Sequence, residues 1–188
     1  MEKVEVDLSK AYRFLYPRLT VIVSSGTINN PNALTIAWST PLSVEPPLIG
    51  ILIASKRYSH QIIQQTGSFV INIPHFGLVT GTHMVGQVSG RDDPRKIEKA
   101  GFSLETSREV IAPQIKECPV NLECKLNEII TTGDHDMFIG EVVAVVVKKS
   151  IVDDWAYDLS KHSSIYWRQS KLRSETYRLE IDKKEESN

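Results

Sequence analysis

Apolar positions along this chain follow mostly a two-residue or an unbroken pattern, and turn-forming residues cut it into short pieces. Leu19-Thr20-Val21-Ile22-Val23-Ser24-Ser25 is β-branched and ends at Gly26, which predicts a first strand. A turn rich in Asn, Pro and Gly runs from Gly26 to Asn32, and Ala33-Leu34-Thr35-Ile36-Ala37-Trp38 predicts a second strand. Leu48 to Ala54 is almost continuously apolar, as expected of a strand covered on both faces. Phe69 to Ile73 is a further strand, stopped by Pro74. Val120, Leu122, Cys124 and Leu126 alternate with Asn121, Glu123, Lys125 and Asn127, a period of two with one wet face. Thr131 to Asp136 turns the chain, and Met137 to Val147 runs back as a long apolar strand.

Helical spacing is scarcer. Leu8 to Leu15 reads as a short amphipathic opener. Ser59 to Thr66 reads as a helix capped by Ser59 and closed by Gly67. Asp92 to Gly101 carries acidic cap candidates, Pro94 near its start and Gly101 at its end. Gly81 to Gly90, with Thr82, His83 and Ser89, reads as a mobile connector. Many strands at short spacing with few helices predict a mainly β protein, a barrel with helical decorations. The βαβα alternation of a doubly wound sheet is missing.

Composition narrows this picture. The chain has 188 residues, 41% of them hydrophobic, which suits one folded domain over residues 1–182 with a polar tail at 183–188. A net charge of -1 lacks the basic excess of a nucleic-acid binder. Two cysteines make no disulfide framework. Met1 to Asp7 has no apolar core, and the uncharged stretch Leu19–Glu45 minus its last residue is broken by Ser, Thr, Asn and Pro. The sequence therefore reads as a cytoplasmic protein with neither nucleic acid nor membrane as partner. Rossmann, P-loop, H-E-x-x-H, C-x-x-C and G-x-S-x-G patterns are all missing, which lowers the weight of common hydrolases and phosphate-transfer enzymes.

Two segments carry candidate chemistry. Ser55-Lys56-Arg57-Tyr58-Ser59 joins an apolar strand to a helix start, where free N–H groups and two cations favour an anion. Its plainer reading is an N-cap beside two solvated cations. Asn32 to Pro41 puts an amide, an indole and three hydroxyls on a strand and the turn after it, a polar strip suited to a heteroaromatic ring; plain β-propensity also explains it. Were Ala33–Ser39 and Leu48–Ala54 neighbouring strands, strip and anion site would lie together.

In order and spacing these pieces resemble the flavin reductase-like proteins with an FMN-binding split barrel. The resemblance is carried by Asn32-Ala33-Leu34-Thr35, Trp38-Ser39-Thr40-Pro41, Pro46-Pro47, Ser55 to Ser59 and Phe69-Val70-Ile71-Asn72. Gly133-Asp134-His135 and Phe138-Ile139-Gly140-Glu141-Val142 extend it. It implies an antiparallel, Greek-key split barrel with a few peripheral helices. It implies that Asn32, Thr35, Trp38, Ser39 and Thr40 touch the flavin or its ribityl chain, and that Ser55, Lys56, Arg57 and Ser59 hold the phosphate. It also implies that Tyr166 or Trp167 covers the ring, and that the protein is a homodimer. The activity implied is hydride transfer from NADH or NADPH through bound FMN to a flavin, iron or protein acceptor, with Gly81–Gly90 bordering the nicotinamide or acceptor pocket. The alternatives are a flavoredoxin-like electron carrier and a barrel that binds no flavin. Because the flavin carries the electronic work, no acid or base residue is singled out.

His135, between Asp134 and Asp136, is open to a proton relay or half a metal site, but turn chemistry is the preferred reading and no metal is expected. His60 is expected on a plain helix face. Cys124 is expected buried and Cys118, before Pro119, reachable.

Overall fold

The computed structural model of the chain describes residues 3–153, 156–157, 164–168 and 171–173. The tail expected at 183–188 and the side chain of Trp167 lie outside that part. Seven strands form one sheet: β1 (Val21–Thr27), β2 (Asn30–Ile36), β3 (Ser39–Ser43), β4 (Leu48–Ala54), β5 (Ser68–Ile73), β6 (Val120–Thr131) and β7 (His135–Val147). Their order is β2-β1-β5-β6-β7-β4-β3, with every neighbouring pair antiparallel. β5, β6 and β7 are sequential neighbours and β4 lies beside β7, which is a Greek key. The two edge strands, β2 and β3, are consecutive in the chain. The short bend at 37–38 joins these two edges, which requires the sheet to curl into a barrel; there Leu52 N–H donates to the Trp38 carbonyl at 3.0 Å and extends the β3–β4 ladder. The mainly β, split-barrel expectation holds.

Among the described residues three α-helices decorate it: α1 (Tyr58–Thr66), α2 (Val79–Gln87) and the single turn α3 (Lys96–Lys99). α1 ends as its sequence predicts, with Gly67 left-handed at φ 65° and its N–H donating to Ile63 O. Ile63 joins Val21, Val23, Ile51, Ile53, Phe69 and Phe138 in the barrel interior. A second core lies outside the sheet, where Ile22 and Ala33 meet Val85, Ile97, Phe102 and Ile115. β1 is therefore buried on both faces, which explains why its pattern does not alternate. Among the described residues no helix is long and apolar enough to cross a membrane.

Several expectations are corrected. The stretch Gly81–Gly90 is mostly the helix α2, not a connector. Its Gly81 serves close packing: a Cβ there would stand 2.4 Å from Ala100 O. The helix expected over 92–101 shrinks to α3. The turn expected over 26–32 is a tight hairpin, since β1 runs to Thr27 and β2 starts at Asn30. The turn expected over 131–136 is likewise shorter, and His135 and Asp136 already belong to β7. The opener over Leu8–Leu15 is a 3-10 helix with no buried residue.

Cys118 is not reachable. Both thiols are buried, and burial first, then the carboxylates of Glu117 and Glu123 respectively, pushes each up to about 12. The expected result of mixing native protein with a chromogenic disulfide at pH 8 is no rapid thiol reaction, against two thiols in guanidinium. A fast-reacting native thiol would contradict this burial.

Candidate functional site

The site begins where the barrel closes. Trp38 follows β2 at the bend, and its indole N–H donates to Tyr16 Oη at 3.0 Å. On its other side the His135 ring lies 4.8 Å from the Trp38 ring, tilted by 39°. Tyr16, Trp38, His135, Leu34, Thr35, Leu52 and Ala54 help enclose a cavity of about 250 Å³, with Thr20, His83, Gly86 and Arg57 completing its wall. Thr35 Oγ1 donates to Thr82 O at 2.6 Å, which ties α2 to β2 across the cavity's edge.

A second cavity, of about 230 Å³, shares Leu34, Arg57 and Gly86 with the first. Asn32, Lys56, Ser59, Ser89, Gly90 and Lys96 also line it. A third, of about 360 Å³, opens between Ser55, Lys56, Arg57, Asp134 and His135. Arg57 thus stands at the corner of all three. The exposed imidazole-carboxylate contact, His135 Nδ1 to Asp134 Oδ1 at 2.8 Å, holds the Asp134 carboxyl below its ordinary range.

The expected residues divide accordingly. Thr35, Trp38 and Arg57 line the first cavity, Asn32, Lys56, Arg57 and Ser59 the second, and Ser55 the third. β2 and β4 are not hydrogen-bonded neighbours within the sheet order; barrel curvature brings the polar strip and the cationic segment together instead. Ser59 is not the N-cap of α1. The cap is Arg57, and the buried Ser59 hydroxyl accepts from Asn32 Nδ2 at 2.7 Å. Ser39 and Thr40 do not line these three cavities but an adjoining groove, of about 190 Å³, with Tyr12, Arg18 and, shared with the first cavity, Trp38 and Leu52. Tyr166 pairs through its backbone with Leu19, outside the cavity lining; the aromatic walls among the described residues are Tyr16 and Trp38.

His60 is more than a plain helix-face residue. Its Nε2 meets Asp136 Oδ2 at 2.6 Å and its ring sits edge-on to Phe138, a partly buried pair joining α1 to β7. Asp136 bonds this imidazole rather than turn backbone. Tyr16 and Lys96 were not legible as site residues, because each reaches its cavity from an element distant in sequence, whereas His83 and Gly86 belong to the stretch 81–90 that was expected beside the pocket.

Two polar atoms of the lining lack partners. Asn32 Oδ1 and Thr20 Oγ1 are buried with no hydrogen bond among the described residues. An added Cβ at Gly90 would stand 2.3 Å from Asn32 Oδ1, so only glycine leaves the slot between them. An acceptor, a hydroxyl and a cationic end beside an aromatic chamber suit a ring with a polyol-phosphate tail.

A family model described as flavin reductase like domain matches residues 12–173. An uncharacterized protein of Archaeoglobus fulgidus is 37% identical over 154 residues, spanning 80% of this chain and 86% of its own. Among solved structures, the flavoredoxin of Desulfovibrio vulgaris (Miyazaki F) superposes with a TM-score of 0.77 at 26% identity, covering 85% of this chain and 87% of that one. An FMN-binding domain of a flavin reductases-like enzyme from Shewanella baltica OS155 does so with a TM-score of 0.73 at 26% identity, covering 90% and 92%.

Proposed function

This chain belongs to the flavin reductase-like domain family, and on that premise we propose that it binds FMN and works as an oxidoreductase using NADH or NADPH, with a flavin, iron or protein as acceptor. The observation that carries this reading is the pair of adjoining cavities: a chamber walled by Tyr16 and Trp38, of mixed polar and apolar lining, shares Leu34, Arg57 and Gly86 with a chamber lined by cations. Bound FMN would supply the hydride-accepting ring, so the chain's task is placement. Trp38, held by Tyr16, gives the ring chamber a rigid aromatic wall. Asn32 Oδ1 and Thr20 Oγ1 offer bonds to the ribityl hydroxyls. Lys56 and Arg57 neutralise the phosphate.

We place its action in the cytoplasm, where reduced nicotinamide is supplied. The protein is proposed to be a homodimer, because Leu8, Phe14, Leu15 and Val44 are strongly exposed apolar residues. A monomer mass by sedimentation at micromolar concentration would refute the dimer.

The test of function is a flavin titration followed by anaerobic reduction. FMN is expected to bind, and NADH or NADPH to bleach its absorbance. Arg57→Ala is expected to weaken FMN binding by about ten- to a hundredfold, the loss of a charge-assisted contact, while the thermal midpoint stays nearly unchanged. Unchanged affinity would remove Arg57 from the phosphate site. The structural likeness to a flavoredoxin keeps an electron-carrier reading open. Bound FMN that neither nicotinamide bleaches would select the carrier.

A further inference from the structure

We propose that His60 is a positioning residue: its bond to Asp136 fixes where the turn 55–57 stands against the start of β7, and so sets Arg57 and His135 in place on the wall between the first and third cavities. The proposal rests on the flavin-binding reading above and adds to it a pair that lines none of the cavities already described.

His60 Nε2 and Asp136 Oδ2 stand 2.6 Å apart, with 14% and 15% of their side chains exposed. An ionised carboxylate only accepts, so the imidazole carries a proton on Nε2 whether neutral or charged. A contact this short to an ionised group, and this shielded from water, is stronger than a neutral pair. The His60 ring also stands edge-on to Phe138, with 4.8 Å between centroids, and Phe138 is fully buried. Helix and strand therefore meet through one polar and one apolar contact.

The pair closes a short circuit in the fold. Asp136 pairs with Ile53 and His135 with Ala54 in the β4–β7 ladder. The chain then turns, with Arg57 N–H donating to Ala54 O at 2.9 Å, and enters α1, where His60 N–H donates to Arg57 O at 3.1 Å. The His60 side chain returns to Asp136, so β7 brackets the turn 55–57 at both ends. Among the described residues no side chain of Ser55, Lys56 or Arg57 makes a hydrogen bond, and α1 has no side-chain cap. The turn is therefore held by the start of α1. That start has two polar tethers shielded from water, Ser59 to Asn32 on β2 at 2.7 Å and His60 to Asp136 on β7. Neighbouring helix residues point about 100° apart, so the two tethers together fix the rotation of the helix as well as its height.

Both ends of this clasp reach the site. Arg57 lines all three cavities; His135 lines the first and third, and its ring packs 4.8 Å from that of Trp38. His135 and Asp136 are consecutive residues of β7 and face opposite ways, so the bond made on one face steadies the ring presented on the other. Without the bond the turn is free to shift against β7, and the separation of the guanidinium from the imidazole is no longer set. Hydride transfer between two rings in that chamber tolerates little displacement, since a misplacement of about 1 Å costs about a hundredfold in rate.

The experiment compares wild type with two variants. His60→Phe keeps a ring against Phe138 and loses the donor; His60→Gln loses the ring and keeps a donor at a similar reach. Each protein is saturated with FMN, which removes any difference in affinity, and its anaerobic bleaching by NADH or NADPH is timed. His60→Phe is expected to lose about ten- to a hundredfold in the limiting rate, while His60→Gln stays within about threefold of wild type. His60→Gln as slow as His60→Phe, or slower, would show that the ring and not the bond matters, and would overturn the proposal. An unchanged limiting rate in His60→Phe, with only the melting temperature lowered, would show a merely structural histidine and overturn it too. A second reading needs no flavin. The indole N–H resonance of Trp38, identified by its loss in Trp38→Phe, senses the His135 ring beside it. It is expected to shift in His60→Phe and to stay in place in His60→Gln; no shift in either would overturn the clasp. Wild type that binds no FMN, or whose FMN neither nicotinamide bleaches, would overturn the reductase reading above, and the indole resonance would still decide the clasp.

Discussion

Asn72→Leu is expected to destabilise the protein by about 3–4 kcal/mol, the cost of stranding buried donors, which corresponds to a fall of about 10 °C in the thermal midpoint. Asn72 is fully buried on β5. Its Nδ2 donates to Ile22 O at 3.0 Å and Ser24 Oγ at 2.9 Å on β1, and to Val70 O at 3.2 Å. Its Oδ1 accepts from Ile115 N and from Asn121 Nδ2, both at 2.8 Å. One amide thus binds β1, β6 and the segment at 114–115, which supports the outer core beneath α2. Leucine fills nearly the same space but accepts nothing, so the Ile115 N–H and one Asn121 donor are left buried and unpaired. Thermal melts of the two proteins decide the matter. A midpoint within 2–3 °C of wild type, roughly 1 kcal/mol at this size, would show the network to be dispensable.

Gly86→Leu is expected to weaken flavin binding more than about a hundredfold, some 3 kcal/mol, while leaving the helical signal intact. Gly86 belongs to α2 and lines both adjoining cavities. A Cβ there would stand 3.0 Å from Thr35 Cβ and 3.4 Å from Thr35 Oγ1, already tight. A leucine must push α2 away from β2, straining the Thr35–Thr82 bond, or extend into the cavities. Helix propensity runs the other way, since leucine is a better helix former than glycine by up to about 1 kcal/mol. A loss of binding with circular dichroism retained therefore reports the cavity and not the helix. Gly86→Ala should fall between. Wild-type affinity in Gly86→Leu would place the flavin elsewhere.

The hydrophobic pattern was sufficient for most strands. β4 and β6 read clearly because one is apolar throughout and the other alternates at its start. α1 read well because Gly67 punctuates it. α2 was missed because Gly81 and Gly86 lower helix propensity, yet both are there for contact: one meets Ala100 O and the other Thr35. Cys118 was misplaced because the packing of 97–115 over it is a tertiary event.

The sequence by itself determined the class of fold, the run of cations at 55–57 before a helix, and the polar strip through Trp38. These depend on neighbours along the chain, where side-chain period, caps and turn residues act. Only the tertiary structure decided which of them share a cavity. Barrel closure carries Trp38 and Arg57 to one cavity, while Ser39 and Thr40, past the bend at 37–38, line an adjoining groove whose wall Trp38 shares. It also buries Lys96, a residue unremarkable among charged neighbours, with Arg57 nearby and its ammonium tied to the carbonyls of α2. Burial and proximity between distant segments are set by packing, and no local pattern encodes them.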